Sequence, residues 1–170
     1  IMICLHIYCL YADEKGQFMA ISVEFGKNFR ALVAEIKGKT RQEIAREMRV
    51  SYTTFSNMYN YGILPRVSVL MRAADLFDVS VDYLLGMSEK RHYDKADPPG
   101  NFHDRLTLLR TENGMTVYRL AEKLHVHRNS VAEWYAKKCI PVIDTVAVAA
   151  DHFGVSIDYV LGRTNDRNGR

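Results

Sequence analysis

Few residues in this chain are placed to do chemistry, and those few argue against catalysis. Cys4, Cys9 and Cys139 form an odd set with two members in one short segment, which suits neither a disulfide framework nor a four-ligand zinc site. His125 and His127 stand two apart, so their rings diverge on a helix and lack a third ligand in a turn. The carboxylates Asp75, Asp82, Asp151 and Asp158 fall at matching places in two stretches of chain and read as helix caps and salt-bridge partners. No phosphate-cradling glycine loop, nucleophile elbow or His-Glu-x-x-His run occurs. The sequence therefore predicts no enzyme: no catalytic residue, no metal, no cofactor and no small-molecule ligand. It offers instead a polar row, Tyr52, Thr53, Ser56 and Asn57, without an acidic member, opposite Phe55 and Met58 on one short helix.

The elements that carry that row must come from small packed units. The 170 residues, 48% of them hydrophobic, suffice for one ordinary domain or two very small ones. Lys and Arg number 23 against 20 Asp and Glu, and the net charge of +3 permits an anionic partner without requiring one. Cysteine usage points to a reducing, cytoplasmic compartment. Residues 1–12 lack a basic leader and the ~18 uninterrupted apolar residues of a membrane span, so no membrane association is expected. Residues 1–20 share nothing with the rest, and Met19 followed by Ala20 reads as a start. The run is either an artefact of upstream translation or a short accessory strand, since it carries β-branched and aromatic residues.

The chain repeats itself. At an offset of 76 residues Thr40 pairs with Thr116, Ala45 with Ala121, Val50 with Val126, Tyr59 with Tyr135 and Pro65 with Pro141, and residues 73–86 match 149–162 almost solidly. Phe25 and Phe29 correspond to Phe102 and Leu106 at offset 77, a one-residue slip that a surface loop tolerates. Self-similarity at a fixed period means two copies of one unit. Between them, residues 87–101 are polar and rich in breakers and read as a linker, able to span at most roughly 50 Å.

Within the first copy, Phe25, Phe29, Leu32, Val33 and Ile36 recur at helical spacing before Gly38. Thr40 is an N-cap, and Glu43 completes a capping box ahead of Ile44, Ala45 and Met48. Ser51 caps a third helix to Tyr59, Val67 to Phe77 form a fourth, and Ser80 caps a last turn, Val81 to Leu85. The second copy repeats the series, with His127 to Tyr135 as its third helix, burying Val131 and Trp134. Trp134, Phe55, Met58, Phe77 and Phe153 read as core.

At Thr40-Arg41-Gln42-Glu43-Ile44-Ala45, Val50-Ser51-Tyr52-Thr53-Thr54-Phe55-Ser56, Pro65 and Val79-Ser80-Val81-Asp82-Tyr83-Leu84-Leu85-Gly86, the chain resembles the phage repressor and Cro-like (Cro/C1, xenobiotic-response-element) helix-turn-helix family. The resemblance covers residues 25–86 and again 102–162. It implies an all-α fold of two tandem five-helix, lambda-repressor-like domains. The expected bounds are an N-terminal extension at 1–21, domains at 22–88 and 101–164, a linker at 89–100 and a tail at 165–170. It implies that the third helix enters the major groove of double-stranded DNA while the second crosses the backbone.

Carried over by position, Ser51, Tyr52, Thr53, Ser56 and Asn57 would read bases in copy one, and His127, Arg128, Asn129 and Glu133 in copy two. Arg128 suits guanine, Asn57 or Asn129 adenine, Thr53 a thymine methyl and Glu133 a cytosine amine. Arg41, Gln42, Thr54, Tyr61 and Arg66, with Ser130, Lys137 and Lys138, would contact the backbone. The family usually has Gln directly after the capping Thr, where this chain has Arg41 and Val117, and commonly a basic residue where Glu133 stands, so copy one is expected to be the stronger reader.

The function this implies is a sequence-specific transcription regulator, a repressor acting on operator DNA, with a homodimer as one arrangement. The competing reading is a helix-turn-helix protein-interaction module, for dimerisation or antitoxin-like partner binding, favoured by the low net charge and by Glu133.

Overall fold

The structure is a computed structural model that describes residues 17–168, and those residues form ten helices. They are α1 Gln17–Glu35, α2 Arg41–Glu47, α3 Tyr52–Tyr61, α4 Val67–Phe77, α5 Val81–Leu84, α6 Phe102–Glu112, α7 Val117–Lys123, α8 Arg128–Lys137, α9 Ile143–Phe153 and α10 Ile157–Val160. The second five repeat the order of the first. An accessory strand within residues 1–16 lies outside the described residues. Residues 17–21 are helical: α1 runs as far back as Gln17, and Ile21 continues the buried stripe of Phe25, Phe29 and Leu32.

The starts of the short helices follow from their caps. The Thr40 hydroxyl accepts the Glu43 N–H while the Glu43 carboxylate accepts the Thr40 N–H at 2.7 Å, the reciprocal box read from the sequence. Ser51, Ser80 and Ser156 each accept an N–H three residues on. Phe29 is the hub of the first core, its ring 5.6 Å from Phe25, 5.4 Å from Phe55 and 5.8 Å from Phe77, so one side chain ties α1 to α3 and α4. In the second core Phe102 meets Trp134 at 6.4 Å.

Each five-helix set extends further along the chain than its sequence match. The Ser80 N–H donates to the Arg91 carbonyl at 2.8 Å, and the Ser156 N–H to the Arg167 carbonyl at 2.9 Å. Arg91 pairs with Glu35, Arg167 with Glu112, and each guanidinium also lies over a tyrosine ring, Tyr83 and Tyr159 respectively. The partner guanidinium holds each of these two glutamates below the ordinary carboxylate range. These contacts reach past residues 88 and 164, to Arg91 and Arg167. Residues 87–91 and 163–167 are matching straps that close each set; only Arg91 and Arg167 are identical between them, and both keep the offset of 76.

The segment expected to be a spacer is held down. The Ala96 N–H donates to the Arg163 carbonyl, the Gly100 N–H to the Gly162 carbonyl, both at 2.8 Å, and Lys95 reaches Asp78. A Cβ on Gly162, whose φ is +77°, would lie 2.4 Å from the Gly100 carbonyl carbon, so glycine is required there for linker and second set to touch.

The two sets also join directly. At the start of α5 the Asp158 carboxylate accepts the Val81 N–H at 2.7 Å, and at the start of α10 the Asp82 carboxylate accepts the Asp158 N–H at 3.2 Å. Arg163 bridges Asp158 and Asp75, with side-chain exposures of 6% for Arg163 and 2% for Asp158. Burial pushes the Asp158 carboxyl upward and the Arg163 charge opposes it. Arg163→Met should strand a buried carboxylate and cost about 3–5 kcal/mol of stability, and adding Asp158→Asn should recover part of that loss. Urea unfolding measures both, and a single variant within about 1 kcal/mol of the parent would count against this role.

Candidate nucleic-acid interface

Two short capped helices and the turn between them build the site. The turn is tight because Arg49 takes the left-handed conformation, φ +54°, which brings the Val50 N–H onto the Ala45 carbonyl at 3.0 Å. In the second set His125 does the same, also at φ +54°, with the Val126 N–H on Ala121 at 2.9 Å. His125 is thus a turn residue, and among the described residues no group of three or more His, Cys, Asp or Glu is placed to hold a metal. Phe55 and Met58 anchor α3 inward, and its far end meets α1 so closely that a Cβ on Gly62 would lie 2.7 Å from the Ser22 carbonyl oxygen. The helix cannot roll without disturbing both contacts.

On α3 the residues singled out from the sequence differ in how free they are. Tyr52, 49% exposed, and Thr53 face outward at its start, whereas Asn57 is half-buried. Ser51 and Thr54 are occupied with each other: the Ser51 hydroxyl accepts the Thr54 N–H at 3.1 Å and shares a 2.9 Å hydrogen bond with the Thr54 hydroxyl. The Ser56 hydroxyl accepts from the Asn60 amide at 2.8 Å. The Arg41 guanidinium carbon lies over the Tyr59 ring, 4.0 Å from its centre, and the group donates to the Tyr59 hydroxyl at 3.0 Å, which fixes it beside the start of α2. Gln42, Tyr61 and Arg66 are exposed around this surface.

On α8, Arg128 and Asn129 are exposed and Ser130 is half-buried. His127 is the N-cap, its Nδ1 accepting the Asn129 N–H at 3.3 Å, so one ring nitrogen is committed to the helix. Glu133 pairs with Lys137 at 3.2 Å, which partly cancels the acidic charge on that face. Lys138 ends the helix at φ +52°, the place Gly62 holds in the first set. The aromatic clamp is missing here. Val117 stands in place of Arg41, and the Tyr135 hydroxyl accepts instead from Thr107 at 3.2 Å.

Three supporting residues escaped the sequence reading. Arg30 donates to the Tyr59 carbonyl at 3.1 Å, Arg72 to the Met48 carbonyl at 2.8 Å, and Asn60 holds Ser56. Only Asn60 had a local signal, its i+4 spacing from Ser56; the other two are long-range contacts that no periodicity encodes.

The sequence is similar to two curated proteins. The chain is 36% identical over 62 residues to the uncharacterized HTH-type transcriptional regulator YobD of Bacillus subtilis (strain 168) and 33% identical over 60 residues to the HTH-type transcriptional activator BcrR of Enterococcus faecalis. Those stretches cover 36% and 35% of this chain, but 55% and 29% of the relatives, so the chain spans about half or less of the relatives it matches. No family model and no solved structure matches the chain. The similarity is to helix-turn-helix transcriptional regulators, over a length close to one five-helix set.

If Arg41 meets a phosphate, Arg41→Ala should weaken all duplex sequences alike and flatten the salt slope by about one. A filter-binding titration with unchanged salt dependence contradicts that role. Thr53→Ala should instead alter which base is preferred at one position, and an unaltered preference moves readout elsewhere.

Proposed function

We propose that this chain is a sequence-specific double-stranded-DNA-binding transcription regulator built from two tandem helix-turn-helix modules of the xenobiotic-response-element, Cro/C1 type, at about residues 17–91 and 101–167. The observation that carries the reading is α3: a serine-capped helix anchored by Phe55, Met58 and Gly62, with Tyr52 and Thr53 outward and the Arg41 guanidinium held on Tyr59 beside it. Such a surface offers backbone-positioning and base-reading groups on one rigid edge. The similarity to two named transcriptional regulators supports it.

In this reading α3 enters the major groove, with Tyr52 and Thr53 as its principal readers. Gln42, Thr54, Tyr61 and Arg66 line the adjacent backbone. The second module reads through Arg128 and Asn129, with Ser130, Lys137 and Lys138 toward phosphates. Its Glu133 and its lack of an arginine clamp make it the weaker grip. Occlusion of polymerase, and hence repression, is the mode that asks least of the site, since it requires only DNA binding. A cytoplasmic location fits the exposed thiol of Cys139.

Selection of duplexes from a random pool with the purified full chain tests the reading. Enrichment of a defined, non-palindromic motif is expected, and the absence of any retained duplex at low salt would overturn it. Binding that persists equally on every sequence would leave a non-specific DNA binder and remove the base-reading roles.

A further inference from the structure

The two modules face each other through equivalent residues in two separate places. At the first, Asp82 and Asp158, 76 positions apart, each cap the other's helix: Asp158 accepts the Val81 N–H and Asp82 accepts the Asp158 N–H. At the second, a cleft of about 510 Å³ is lined on one side by residues 64–68 and on the other by 140–144, the same segment of each module at the same offset. When residue i touches the partner's j and j touches the partner's i, the relation is an approximate two-fold rotation. A translation, as in beads on a string, would bring unlike segments together. Both walls of the cleft lie close in sequence to the third helices, since residues 64 and 140 follow the ends of α3 and α8 within a few residues.

We infer that one chain acts as an internal pseudo-dimer, reading two unlike half-sites in inverted orientation at a fixed spacing. This rests on the DNA-binding reading above. A two-fold rotation presents α3 and α8 to the duplex with opposite polarity, so the second half-site runs on the complementary strand. The half-sites differ because the readers do: Tyr52 and Thr53 stand where α8 has Arg128 and Asn129, and Asn57 where α8 has Glu133. The spacing is fixed because the linker is bound to the first module through Lys95 and to the second through Ala96 and Gly100, and because Arg163 bridges the two modules. The surfaces that would pair two separate copies are used within one chain.

The experiment uses duplex variants, which leave the folding of the protein untouched. The full chain is titrated against the selected duplex, against the same duplex with one half-site reversed, and against duplexes with five extra base pairs between the half-sites. One chain per duplex is expected. Reversal or half-turn insertion should each lower affinity by roughly a hundred-fold, to that of an isolated half-site, because the second module no longer binds intramolecularly. Equal affinity for the reversed half-site, tolerance of the five-base-pair insertion, or two chains per duplex would each overturn the pseudo-dimer while leaving DNA recognition standing. Failure of the full chain to retain any duplex would overturn DNA recognition itself, and this inference with it.

Discussion

The first turns of α5 and α10 meet. A helix start leaves backbone N–H groups without intrahelical partners and carries partial positive charge, so a carboxylate from outside is a natural partner. Here each short helix receives that carboxylate from the other: Asp158 from α10 and Asp82 from α5. Burial disfavours the ionised form of the Asp158 carboxyl. Arg163, itself buried, supplies the countercharge to Asp158 and extends to Asp75. The Val81 N–H, the Asp158 N–H and the Asp75 carboxylate find these partners only across the junction.

The remaining structure depends on that junction. With the modules docked, the segment between them has surfaces to bind on both sides, and its backbone groups pair with the second module's strap at Arg163 and Gly162. The two candidate readers thereby acquire a defined relation to each other. Each is separately fixed within its own module, α3 by Phe55, Met58 and the close approach of Gly62 to α1, α8 by Val131 and Trp134. Unequal chemistry on equal scaffolds follows from the repeat. The frame of caps, turns and cores is shared, whereas Arg41 and Tyr59 form a clamp that Val117 and Tyr135 cannot.

Most helices were legible because their signals are local. Thr40 with Glu43, Ser51, Ser80 and Ser156 announce helix starts, and the apolar spacing of Phe25, Phe29 and Leu32 announces a buried face. The same logic, carried five residues further back, would have placed Ile21 on α1. What the sequence concealed is long-range. Nothing local marks Asp158 as a partner of Val81, whereas the identity of Arg91 and Arg167 at the repeat offset was a signal that the reading stopped short of using. Polar residues were also over-read as free. Ser51, Ser56 and His127 look available on a helical wheel, yet each is occupied by a cap or a neighbour, and only the coordinates distinguish a capping hydroxyl from a presented one.

The central claim is that the two modules form one rigid body through Asp82, Asp158 and Arg163. The most direct measurement is the distance distribution between spin labels attached at Thr53→Cys and Asn129→Cys, in a chain whose Cys4, Cys9 and Cys139 are replaced by Ser. Both labelled positions are exposed on the candidate reading helices. The account predicts a single narrow distribution in free protein, broadened when Arg163→Met is introduced. A broad distribution in the parent chain, unaffected by that substitution, would contradict it.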